Sequence, residues 1–123
     1  MLEIDLLAHL ETLTGWKVYP IKVPQNGTYP TIVYKEIGNI RNSESSLNGN
    51  NLRTLHYEFI IVTPDSEELI TTKHTLIDSY EGYSGLLGNT DIFIARIVSS
   101  VPTYDNAQNN FEYNITVEFT VKQ

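Results

Sequence analysis

Cysteine is absent from the 123 residues. That excludes disulfide bridges, thiolate zinc sites and a cysteine nucleophile. Basic residues are scarce, 8 Lys and Arg against 15 Asp and Glu, for a net charge of −7. Such a balance repels phosphate backbones and anionic lipid, so charge-driven grip on nucleic acid is disfavoured. Long apolar runs are missing: Phe59–Val62 and Ile92–Ala95, the longest, hold four residues each. Neither can span a bilayer, and an N-terminus that alternates carboxylates with leucines does not read as a signal peptide. The expectation is a soluble, intracellular chain. At roughly 100 to 200 residues per domain, the length predicts one domain over 1–123. Such a chain can bury about two thirds of its unfolded surface.

What is present is clean periodicity. Leu2, Leu6, Leu7, Leu10 and Leu13 recur at helical steps with Gly15 placed to end the helix. Lys17–Val23, interrupted by prolines, reads as an edge strand or a surface loop. Tyr29–Ile37 is rich in β-branched and aromatic residues and reads as a strand. Residues 38–51 carry only Ile40 and Leu47 as large apolar side chains, too few to offset the entropy of ordering them, so a mobile loop is expected. Leu52–Thr63 alternates Leu55, Tyr57, Phe59 and Ile61 against His56, Glu58, Ile60 and Val62, with the last two suggesting cover on both faces at that end. Thr63-Pro64-Asp65 then opens a helix, with Thr63 as the expected cap and Leu69, Ile70, Leu76, Ile77 and Tyr80 as its apolar stripe. Gly82, Gly85 and Gly88 mark a loop. Asp91–Val101 and Phe111–Val121 read as an antiparallel hairpin joined by a polar connector. The fold class is therefore α+β: a mostly antiparallel four- to five-stranded sheet with two helices packed on one face.

Chemistry is sparse. The nucleophile elbow, H-E-x-x-H, phosphate loop and dinucleotide fingerprint are all absent from the sequence. Asp5 with His9, and His74 with Asp78, have ligand spacing on a helix, but two ligands do not make a metal site. Asp65, Glu67 and Glu68 are explained by a helix's first turn. No catalytic, cofactor or metal residues are assigned. Of the eight tyrosines, Tyr34, Tyr57, Tyr80 and Tyr113 point inward, whereas Tyr19, Tyr29, Tyr83 and Tyr104 fall at element ends and suit an interface. Arg41 and Arg53 bracket the polar loop, either clamping its ends to carboxylates or docking an acidic partner. The candidate interface set is Arg41, Asn42, Leu47, Asn48, Arg53, Tyr83, Tyr104 and Asp105.

Taken together, the N-terminal helix, Tyr29-Pro30-Thr31-Ile32-Val33-Tyr34, the Arg-bearing polar loop, Thr63-Pro64-Asp65-Ser66-Glu67-Glu68, the stretch Leu76 to Gly85 and two final strands follow one order. That order resembles the tail terminator, or tail-to-head joining, family of long-tailed bacteriophages and prophages. The resemblance covers nearly the whole chain through short, degenerate motifs. It implies a small α+β subunit that forms a hexameric ring on the finished tail tube, stops its growth and presents a surface to the head's connector. It also implies no catalysis and no cofactor. The implied partners are other copies of the chain, the tail tube protein and a head completion or connector protein. The implied location is the virion tail, after assembly in the host cytoplasm. Six copies would carry 6 × −7 = −42, an acidic wall past which DNA could slide without sticking.

Three other readings stand beside this one. The chain could be another head–tail connector or neck protein. It could be a small ligand-binding or enzyme domain using His56, Glu58 and Arg96 on the open sheet face, or a toxin- or antitoxin-like binding module encoded near a prophage.

Overall fold

The computed structural model describes residues 2–21, 27, 29–42, 52–105 and 110–122, with 39–42 and 103–105 described through their backbone. Helix α1 spans Leu2–Thr14 and buries Leu2, Leu6 and Leu10. It ends where the Gly15 N–H donates to the Glu11 carbonyl at 2.8 Å, with Gly15 at φ +70°. That left-handed turn suits glycine. Strand β1 follows at Lys17–Pro20 and pairs in parallel with β2, Thr31–Asn42. β2 runs antiparallel to β3, Leu52–Thr63, and helix α2 then covers Ser66–Tyr80. Strand β4, Gly85–Leu87, pairs with β5, Thr90–Asp105, and β6 occupies Asn110–Lys122.

The sheet has six strands in the order β1-β2-β3-β6-β5-β4. Every pairing except β1 with β2 is antiparallel. The expected four to five strands become six because two very short pieces add themselves to the edges. The sheet is mostly antiparallel, as expected; its one parallel pair is β1 with β2, between which the chain returns to the end of the sheet where β1 began.

β3 and β6 lie at the centre with matching inward rows: Leu55 opposite Phe119, Tyr57 opposite Val117, Phe59 opposite Ile115. All six side chains are buried. Phe59, Phe119, Tyr57 and Tyr80 pack as tilted or edge-to-face rings with centroids 5.3–6.4 Å apart. Each ring adds on the order of 0.5–1.5 kcal/mol per pair beyond the area it hides. α2 rests on β3, β6 and β5, while α1 touches β1, β4 and α2. Because β1 and β4 are the two edges of the sheet, one helix in contact with both means the sheet curls around it.

Several local expectations shift. The cap of α2 is Asp65, not Thr63: the Glu67 N–H donates to its carboxylate at 2.9 Å. Thr63 braces the turn instead, accepting from the Asp65 N–H and donating to Glu68. Ile70 is exposed and Thr72 is buried, so the inward stripe of α2 runs Leu69, Thr72, Leu76, Ile77 and Tyr80. Gly38–Asn42, expected within the polar loop, continues β2 opposite Leu52–His56. The rest of that loop, 43–51, lies outside the described residues. β5 likewise runs four residues past Val101, to Asp105. At the far end of β3 both faces are covered, with Val62 and Thr63 buried beside Thr31 and Val33.

Candidate functional site

The candidate interface residues divide between the two ends of the sheet. Arg41 and Asn42 close β2, where Arg41 stands opposite Arg53 and Asn42 opposite Leu52. Arg53 is half-buried and engaged in an interaction of its own. Tyr104 and Asp105 close β5 at the other end, opposite Phe111 and Asn110. Leu47 and Asn48 lie outside the described residues. Tyr83 belongs to neither group. It packs half-buried against the core, its hydroxyl donates to the Leu86 carbonyl, and its ring centroid is 6.1 Å from that of His9. These contacts hold the α2–β4 turn. The β2–β3 and β5–β6 hairpins therefore point in opposite directions, because β2 and β5 run antiparallel within one sheet.

The open face of the sheet carries one polar row. Gly38, His56, Glu118 and Arg96 stand in register across β2, β3, β6 and β5. His56 Nε2 is 3.2 Å from Glu118 Oε2, both side chains partly exposed. A pair of that exposure contributes about 0–1 kcal/mol. Around it Leu52, Thr54, Phe93, Ile94 and Thr120 complete a wide concavity of about 490 Å³. Glu58, grouped with His56 and Arg96 from the sequence, sits one row away and pairs with Lys35 at 3.6 Å. A second hollow of about 310 Å³ lies between α1 and β2, lined by Glu3, Ile21, Tyr34 and Tyr57 among others. There the Tyr34 hydroxyl donates to the Glu3 carbonyl at 2.7 Å. Burial is the main cause holding that phenol's pKa above its usual value, with the Glu3 and Glu11 charges adding to it.

The helical ligand pairs come apart. Asp5 accepts from the Thr90 hydroxyl, whereas His9 Nδ1 meets the Tyr80 hydroxyl at 2.7 Å. His74 and Asp78 both lie exposed on α2. Among the described residues, no group of three His, Asp or Glu is placed to hold a metal ion. Among the described residues, no helix is long and apolar enough to cross a membrane.

No family model and no curated protein matches the chain. Among solved structures, the fold is that of a chain in the virion of a native gene transfer agent particle. The two share 12% identity at a TM-score of 0.63, covering 94% of this chain and 86% of that one.

Proposed function

We propose that this chain is a structural protein of a phage-type virion and acts as its tail terminator. Copies of it form a ring, expected to be a hexamer, that caps the tail tube, ends its growth and offers the surface on which the head's connector docks. DNA passes through the ring without specific binding, and no chemical reaction is catalysed. The observation that carries this reading is the likeness in fold, along nearly the full length of both chains, to a component of a virion particle. The opposed hairpins support it: a ring that joins two different structures needs two different rims, and the β2–β3 and β5–β6 hairpins turn at opposite ends of the sheet.

Purified chain added to tails lacking their terminator, followed by electron microscopy, tests the assignment. Capped tubes competent to join heads are expected. Binding at the head portal with tube ends left bare would instead support the second reading, a head completion or neck protein, which the same likeness in fold favours.

A further inference from the structure

Among the described residues, the sheet is open along two stretches that sit at diagonally opposite corners. On one side β1 covers β2 as far as Tyr34, whose carbonyl also accepts from the Ile21 N–H at 2.9 Å. Among the described residues, no strand lies outside Lys35–Asn42. On the other side β4 covers Thr90–Ile92 of β5, and the turn after α2 extends that cover. The Gly82 N–H donates to the Ala95 carbonyl, the Ala95 N–H to the Tyr83 carbonyl, and the Ile97 N–H to Glu81 Oε2 at 2.6 Å. Among the described residues, no strand lies outside Ser99–Asp105. The middle of the first stretch, Gly38, is level with His56 of β3. The middle of the second, Pro102, is level with Tyr113 and hence with Ile61 of β3, five residues away.

We infer that these two edges are one seam: Lys35–Asn42 of one copy pairs with Ser99–Asp105 of the next. The inference rests on the ring reading above and names the surface that would build it. Three antiparallel pairings separate β2 from β5, so the two strands run oppositely. A neighbour placed by simple rotation therefore presents β2 antiparallel to β5, with the same face outward. The edges are unlike, so the contact is head-to-tail, the kind that closes into rings rather than two-fold dimers. Aligning the two midpoints shifts each copy by about 17 Å along the strands, at roughly 3.3 Å per residue. The four long strands span about 19 Å at roughly 4.8 Å each, so the strands tilt about 40° from the ring axis. Closed barrels require about 35–45°. Each edge also carries an exposed aliphatic side chain, Ile37 at 51% and Val101 at 49% exposure. Unpaired edges with exposed apolar residues are what soluble monomers avoid.

The test uses the full chain carrying Ile37→Lys or Val101→Lys, with Ser99→Lys, at an exposed site within the same stretch, as a second β5 variant should Val101→Lys melt below wild type. Wild type is expected to form multi-subunit species in native mass spectrometry and sedimentation, and each variant to stay monomeric. An equimolar mixture of a β2-edge and a β5-edge variant should stop at a dimer, because one intact edge remains on each partner. If the free wild-type chain is monomeric, the same comparison is made on tail ends, where each variant should lose the cap and the mixture should not restore it. Rings that survive both substitutions overturn the seam and leave the terminator reading standing. Loss of assembly in only one variant overturns the head-to-tail pairing. A wild-type chain that assembles neither in solution nor on tails overturns both.

Discussion

His9 on α1 and Tyr80 on α2 join the two helices through a 2.7 Å contact between Nδ1 and the phenol hydroxyl, with ring centroids 5.3 Å apart. Tyr80 is fully buried, and it touches Phe59 and Phe119 as well. The helix pair and the sheet core thus meet at one phenol.

Burial pushes the His9 imidazole below its ordinary 6.5. Between 6.5 and the folded value, the unfolded chain binds the proton that the folded chain rejects, so stability falls as pH drops through that window. The melting temperature of wild type is expected to decline more between about pH 7.5 and about pH 5.5 than that of His9→Gln. Equal slopes would remove His9 from the account. Tyr80→Phe should cost about 0.5–1.5 kcal/mol at neutral pH, read by denaturant titration.

Asp5 ties α1 to the turn between β4 and β5. The Thr90 hydroxyl, more than any other group, holds its pKa below the usual 3.8. Its contribution is present above pH 3.8 and is lost as pH falls through the folded value. Asp5→Asn should therefore be less stable than wild type near neutrality, and the gap should close in acid.

Gly88 sits beside that carboxylate at φ +60°, and a Cβ there would fall on Asp5. Gly88→Ala should destabilise by about 1–2 kcal/mol from the left-handed backbone alone, with the clash added. An Asp5→Ala background removes the two closest contacts, to Oδ1 and Cγ, and leaves only the Asp5 Cβ at 3.0 Å, so the penalty there should be smaller. A thermal double-mutant cycle showing strict additivity would contradict the clash.

Phe119→Ala should cost about 3–5 kcal/mol, since the side chain is fully buried against three rings. Phe119→Asp should abolish the cooperative melting transition.

Asp65→Ala removes the α2 cap and should cost about 1 kcal/mol, whereas Thr63→Val should act through the lost brace to Glu68 and leave the start of the helix in place. Circular dichroism of the two variants checks the order.

The long elements were legible because their side chains report burial repeatedly. Ile115, Val117, Phe119 and Val121 alternate inward in β6, and Leu2, Leu6 and Leu10 fall on one stripe of α1. β1 and β4, at four and three residues, are too short for any period to accumulate. Polar Gly38–Asn42 joins the sheet because the β3 backbone extends alongside it, a cause that lies in another segment of the chain. Asp65 rather than Thr63 caps α2 because both can accept from a helix's first turn, and only backbone geometry chooses between them. The proposed interface escaped for a related reason. Arg41 and Tyr104 could be singled out by type, but which stretch of each strand lies unpaired depends on where β1 and β4 stop.

Helix α1 lies against both β1 and β4, and its Leu6 and Leu10 have no exposed surface. It acts as a wedge that sets how sharply the sheet bends. In the ring proposed above, the bend of each unit would set the angle to its neighbour, and with it how many units complete a circle. Repacking α1 would then change the calibre of the opening.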